Sequence, residues 1–409
     1  METENKSNRN RRTNPAPWFA AAAVIVAAVI GISLFGGRGD ERAEPDATVP
    51  PAPTAAATAA LTPEPTPEPT PEPVREIELY GLRFTEQDTR LDLSSLQTLD
   101  PEPLFAAAPE FSQVEEIDLS GCTLPPETLA ALREVYVGAV VRCTTRVGEV
   151  TCDSMTEELD FTDGELTLEQ AELACRAMPM LKTLIMPEKC GYADEDISAL
   201  NDAYPETRII WTLHFCGYVL RTDATMFCAS NVPGYVAVKM TDEDLVPLRY
   251  CVDMEALDLG HMYYTDLSFL ANMPHLKYLI LVEARYQDIS VLSRLQELYY
   301  LELFNNTIDD ISPLLECRAL RHLNIGYTRG FDPAPLWEMT WLERLWYPAN
   351  TMSQSQRDDL TAALPDTQCY LISYDGKGST GGGWREGEVY TTMRDVFSMF
   401  YQPGGTGVK

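Results

Sequence analysis

The sequence predicts an α/β solenoid, a stack of coils in which short parallel strands alternate with turns or helices, and three observations predict it. Leu257, Leu279, Leu301, Leu323 and Leu345 recur at a stride of 22 residues. Asp266, Asp288, Asp310 and Asp332 keep the same stride in a second column. Further upstream, the stretch opening at Arg90 matches the stretch opening at Glu158, an offset of 68 residues. Self-similarity at a fixed period marks a chain built by stacking like units, each burying its apolar face against the next.

Composition narrows the class before any element is placed. The 409 residues are 45% hydrophobic, enough to supply a core. A net charge of −31, from 62 acidic against 31 basic residues, excludes a nucleic-acid partner. Phosphate contacts need lysine and arginine gathered on one face.

From the N-terminus, residues 1–17 carry Lys6, Arg9, Arg11 and Arg12, and residues 18–37 hold the run Trp18 to Phe35, which contains no charge. That run is about the length that spans a hydrocarbon core of roughly 30 Å as a helix. The basic residues before it place residues 1–17 in the cytoplasm and the rest of the chain outside. A cleaved leader is the competing reading, but no clear A-x-A site follows the run. Residues 38–75 end in TPEPTPEPTPEP, a spacer that repeated proline holds in an extended polyproline conformation.

Residues 76–250 read as irregular long repeats. Each of the two matching stretches gives strand, helix, strand, helix and then a hairpin ending near Asp153 or Asp223, with Tyr136 aligned on Tyr204. Residues 251–350 are regular. Met254, Leu276, Leu298, Leu320 and Leu342 precede the leucine column by three residues, and Leu259, Leu281, Leu303 and Ile325 follow it by two. Alternate residues of a strand point to opposite faces, so this L-x-x-L-x-L phrase turns its leucines to one side.

That phrase is the signature of a leucine-rich repeat. LYYLELFNNTIDDISPLLEC resembles the 22-residue unit of the internalin-type bacterial leucine-rich repeats, and the resemblance covers roughly Met254 to Asn350. It implies a curved, parallel-stranded solenoid. The sequence departs from the pattern where an asparagine is expected five residues after the second leucine: Asn306 and Asn350 fit, whereas Met262, Ala284 and Thr328 do not. The asparagine ladder must therefore be incomplete. Residues 351–375, a helix and a strand, read as a cap on the open end of the core.

Residues 376–409 comprise the glycine-rich GKGSTGGG and a tail, WREGEVYTTMRDVFSMFYQ. In the tail, Tyr390, Met393, Val396, Phe397 and Phe400 fall near one helical face, so the segment can dock back on the solenoid. Ten cysteines, an even number, all lie beyond the apolar run. Outside a membrane they can form disulfides, and the pairs that flank hairpin-like stretches are Cys143 with Cys152 and Cys216 with Cys228.

The residues between and beside the strand leucines are free of core duty and face the concave side. Tyr278, Ile280, Tyr300, Phe304 and Trp346 make an aromatic and aliphatic patch there, with Glu302 among them. Such a patch is costly to leave wet, so it is a ligand-recognition surface, a surface covered by the tail or the hairpins, or a patch that merely stiffens the strands. The aspartate column offers one carboxylate per coil, too few oxygens for a calcium ion, and is read as capping the turns. The sequence has no G-x-S-x-G elbow and no H-E-x-x-H, and GKGST lacks the Walker spacing, so no catalytic residue, cofactor or metal is assigned. Two functions remain: a cell-surface module binding a protein, peptide or glycan on its concave face, or an envelope scaffold without a discrete ligand.

Overall fold

A computed structural model of the chain describes residues 74–229, 239–349 and 351–372. The chain divides at Thr70, and the described residues all belong to the unit Pro71–Lys409. The apolar run Trp18 to Phe35, nearly all of the proline-rich spacer and the tail after Gly376 lie outside the described residues. Among the described residues no helix is long and apolar enough to cross a membrane.

A hairpin opens the fold. Strands β1 (Glu76–Leu79) and β2 (Leu82–Thr85) pair antiparallel and bury Ile77, Leu79 and Phe84. The two long units follow in the order expected. The first runs β3 (Arg90–Asp92), α1 (Glu102–Ala107), β4 (Glu116–Leu124), α2 (Pro126–Val135), β5 (Val140–Val147) and β6 (Val150–Asp153). The second runs β7 (Glu158–Asp160), α3 (Leu168–Ala177), β8 (Thr183–Ile185), α4 (Asp194–Ala203), β9 (Arg208–Ile210), β10 (Thr212–Phe215) and β11 (Tyr218–Arg221).

The 68-residue offset survives to the level of single hydrogen bonds. Tyr136 and Tyr204 each close the C-terminus of their helix, α2 or α4. The hydroxyls of Ser154 and Thr222 accept from the backbone N–H of Cys143 (3.0 Å) and Trp211 (3.2 Å). The backbone N–H of the same two residues donates to the carbonyl of Cys143 or Trp211, at 2.9 Å in both units. The units differ in one respect: β5 runs unbroken from its parallel partner β4 to its antiparallel partner β6, whereas Trp211 separates β9 from the β10–β11 hairpin.

The regular half forms a seven-stranded parallel sheet in chain order. Its strands are β12 (Met226–Cys228), β13 (Ala256–Asp258), β14 (Tyr278–Ile280), β15 (Tyr300–Glu302), β16 (His322–Asn324), β17 (Arg344–Pro348) and β18 (Gln368–Ile372). A short helix, α5 (Asp242–Leu245), precedes β13, and α6 (Gln354–Ala363) precedes β18. Phe227, Leu257, Leu279, Leu301, Leu323, Leu345 and Cys369 lie in one register row, and the five leucines are fully buried. The ridge inferred from the stride is therefore present, and the sheet extends it by one strand at each end. One continuous core runs from Ile77 to Leu364.

A 22-residue coil is too short to fit a long helix, and each returns through a five-residue 3-10 turn such as Ser290–Arg294 or Ser312–Glu316. The aspartate column starts these turns. Asp266, Asp288, Asp310 and Asp332 each accept, through one carboxylate oxygen, the backbone N–H two residues on, at 2.7–3.0 Å. Their carboxylates are thus occupied as caps.

The incomplete asparagine ladder is completed by hydroxyls. Asn306 Nδ2 reaches the carbonyls of Leu281 (2.8 Å) and Leu303 (2.9 Å), and its Oδ1 accepts from Ala284 N–H. Where the asparagine is missing, Tyr264 Oη donates to Leu259 O, Tyr286 Oη to Leu281 O, and Thr328 Oγ1 to Leu303 O. Buried carbonyls need a donor, and residues of another type supply it.

The cysteine expectation is corrected, because all ten are free thiols. Cys143 pairs across the β5–β6 hairpin with Ser154, and Cys152 with Thr145, so the two cysteines stand two register positions apart rather than opposite. Cys216 occupies the tip of the β10–β11 turn in a left-handed conformation (φ 49°), while Cys228 belongs to β12 in a different sheet. Burial pushes the Cys143 and Cys251 thiols up to about 12, so they behave as small core hydrophobes.

Candidate functional site

Opposite the leucine ridge, the strands carry a second apolar cluster built from two register rows and a flanking one. The first row is Ala256, Tyr278, Tyr300, His322, Arg344 and Gln368; the second is Asp258, Ile280, Glu302, Asn324, Trp346 and Tyr370. Beyond the strand ends stand Val282, Phe304 and Gly326, and Ile372 is the last residue of β18. All six candidate residues, Tyr278, Ile280, Tyr300, Glu302, Phe304 and Trp346, are on this face, and all but Glu302 belong to the cluster.

Aromatic contacts tie the rows together. Tyr300 stands 6.4 Å, between ring centroids, from both Tyr278 and His322, Phe304 meets Tyr327 edge-on at 5.1 Å, and Trp346 stacks on Tyr370 at 4.9 Å. Gly326 makes room for this. A Cβ there would stand 3.0 Å from Ile372 Cγ1 and 3.2 Å from Phe304 Cδ2, so any larger residue would push the two apart.

Polar groups are set inside the apolar frame. The Tyr300 hydroxyl donates to Glu302 Oε1. Asp258 accepts from Gly260 N–H (3.1 Å) and from the Cys228 thiol (3.3 Å), and Asn324 Oδ1 accepts from Gly326 N–H (2.9 Å). His322 Nε2 lies 3.2 Å from Tyr299 Oη and 3.7 Å from Glu343. Burial depresses the His322 pKa to about 4, against the pull of the Glu343 carboxylate. The ring is neutral at pH 7.

One property of this face departs from an open recognition surface. Tyr300 is 1% exposed, Trp346 4%, Glu302 6% and Phe304 9%. The side chains come together as the stride predicts, and all but the half-buried Tyr278 are largely closed off from water.

Sequence reasoning missed Tyr299, Tyr327, Tyr370 and Ile372. The first two lie just outside the strands. Tyr370 and Ile372 belong to β18, which follows β17 at a stride of 24 rather than 22 and so breaks the period. Elsewhere, an open groove of about 630 Å³ is lined by Asn201, Arg208, Trp211, Arg249 and Tyr250. Its arginines are engaged with Asp253 and Glu195, which leaves it polar without a convergent site.

No protein-family model matches the chain, and no curated protein matches its sequence. Among solved structures it is similar to an internalin of Listeria monocytogenes at 18% identity, over 71% of this chain and 63% of that one, with a TM-score of 0.28. The chain thus spans less than two thirds of that internalin's length. Internalin C2 of Listeria monocytogenes is 20% identical over 38% of this chain and 76% of its own, at a TM-score of 0.28. A leucine-rich-repeat protein of Leptospira interrogans is 14% identical over 67% and 75%, also at 0.28. At such scores these are likenesses only, and the leucine-rich-repeat fold rests on this chain's own 22-residue register.

Proposed function

We propose that the chain is an extracytoplasmic recognition module that takes up a protein or peptide segment on the aromatic strand face of its regular coils, held at the membrane by residues 18–37. The observation that carries this reading is the second apolar cluster. The coils stack through the continuous apolar core on the other face of the sheet, and the aromatic rings gathered on this face form a second cluster apart from it. Rings of this kind, packed around a few polar groups, are the usual anchors of a binding surface. The carboxylates of Asp258 and Glu302 add specificity for a donor or cation on the incoming segment, and the net charge of −31 disfavours a polyanion.

The test is a display library of short peptides panned against the chain, with Tyr300→Phe and Glu302→Gln as paired controls. Enriched peptides should lose about 10-fold or more in affinity for Glu302→Gln, as expected when a buried charge partner is removed. Equal binding to both variants, or no enrichment, would sink the reading; a passive scaffold predicts the latter. Protease treatment of intact cells should remove residues 74–372 and spare residues 1–17, and the reverse would overturn the orientation.

A further inference from the structure

On a chain of net charge −31, an arginine without a carboxylate partner departs from its surroundings. Most arginines of the long units are ion-paired, as Arg90 is with Asp118 and Arg176 with Glu134. Arg321 and Arg344 form no such pair among the described residues. Arg321 stands just before β16 and Arg344 opens β17, so adjacent coils bring both to the N-terminal edge of the strand face. Each is half-buried. Arg321 Nη1 donates to the carbonyls of Arg318 (2.9 Å) and Leu320 (3.0 Å), and Arg344 Nε donates to Gln368 Oε1 (3.2 Å). These bonds hold the two guanidinium groups in place. Arg321 Nη2 and both terminal nitrogens of Arg344 have no hydrogen-bond partner among the described residues.

The surroundings set the class of ligand. Tyr278 and Tyr299, both half-buried, adjoin the arginines; the Tyr299 ring is 6.2 Å from that of Tyr278 and 5.1 Å from that of His322. Burial raises the Tyr299 phenol pKa while Arg321 and Arg344 pull it down, and the same two arginines disfavour protonation of His322. Both therefore lie close to one pair of rings. Of the other charged groups at this edge, Glu343 is 60% exposed and 3.7 Å from His322, Lys277 is paired with Glu255 (3.1 Å), and Arg318 is stacked on Trp341 (4.1 Å). His322 is neutral at pH 7. Two guanidinium charges set against the one carboxylate of Glu343 leave a single positive charge beside apolar ring surface.

We propose that Arg321 and Arg344 form an anion subsite that takes one carboxylate of the incoming segment, with Tyr278 and Tyr299 packing the apolar part next to it. This rests on the recognition reading given above and adds to it the chemistry and the direction of the segment. A guanidinium fork matches a planar carboxylate through paired N–H bonds. One negative charge balances the residual positive charge, whereas a phosphate dianion would meet Glu343. Elsewhere the acidic surface repels the same group, so the segment finds its register by bringing its acid to β16 and β17.

Phenylglyoxal modification of the full-length chain in mild detergent, read by mass spectrometry at each arginine, tests this with 3-phenylpropionate as the probe. The probe should slow modification of Arg321 and Arg344 and leave the exposed Arg294 unchanged. Its neutral amide should protect about tenfold less well, as expected when charge-assisted hydrogen bonds are lost. In Arg344→Gln, protection of Arg321 should weaken by about tenfold, and Arg344→Lys, which keeps the charge without the fork, should recover part of it. Glu343→Gln should tighten the probe by up to about fivefold and admit phenyl phosphate. Equal protection by acid and amide, or protection in Arg344→Gln matching wild type, would overturn the proposal. In an enriched peptide, converting each acidic side chain to its amide, or amidating the free C-terminus, identifies the carboxylate used; no loss from either change would also overturn it. Enriched peptides that bind Arg344→Gln as well as wild type would sink the subsite and leave the recognition reading standing. Protection by the probe with no peptide ever enriched would do the opposite.

Discussion

His322 shows what a single buried ring does to the stability of this sheet. Its pKa falls from 6.5 to about 4 because burial disfavours the imidazolium, with Arg321 and Arg344 acting in the same direction and Glu343 against it. The unfolded chain binds a proton at this residue below about pH 6.5, whereas the folded chain does so only below about pH 4. Stability is therefore complete above pH 6.5 and declines as pH falls through the window to 4, by up to about 3 kcal/mol. Urea unfolding at pH 7.5, 5.5 and 4.0 should show that decline in the wild type. Much of it should vanish in His322→Gln; an equal decline in both would assign the pH dependence to other groups. Gly330 matters for a different reason: its φ of 102° and an Ile308 carbonyl oxygen 2.7 Å from where a Cβ would stand leave no room for a side chain.

At the scale of one coil, the aspartate that starts each 3-10 turn is the device to test. Asp310 holds Ser312 twice, through its backbone N–H (2.8 Å) and its hydroxyl (2.6 Å), and these bonds lower its pKa. Asp310→Ala should cost about 1 kcal/mol by removing the cap, and Asp310→Asn should recover part of it. Thermal melts of the two variants decide this. Loss of a bound calcium ion as the cause would predict chelator-sensitive melting of the wild type. Elements of this kind were legible because each is marked locally, by a strand phrase or by an Asp that starts a turn. The 68-residue duplication was legible for the same reason. What could not be read falls outside any repetition. Strand β12 precedes β13 by 30 residues and β18 follows β17 by 24, so no stride announces them. The disulfide pairs failed because hairpin register, which sets Cys143 against Ser154, is not encoded in cysteine spacing. The six site residues were legible as one face, but not their burial, since period reports direction and not what lies above.

Across the whole sheet, each coil touches only its neighbours, so the effect of a lost core side chain depends on where it sits. Leu301 lies at the middle of the row and Leu360 on α6 in the last coil, and both are fully buried. Leu301→Ala should lower global stability by about 3–4 kcal/mol. Leu360→Ala should instead free the final coil, which hydrogen exchange would detect as rapid labelling of 354–372 while 278–324 stays protected. Uniform loss of protection in both variants would show that the sheet unfolds as one block.

Tyr264 and Tyr286 lend the molecule a built-in optical gauge. Their rings are fully buried, lie 5.9 Å apart and differ by only 8° in plane, one on each of two adjacent coils, and burial pushes both phenols well above the ordinary range. Alkaline titration followed by phenolate absorbance should leave these two silent until the coils part. The near-ultraviolet circular dichroism of the coupled pair would then vanish in the same step, recording coil separation without any added label.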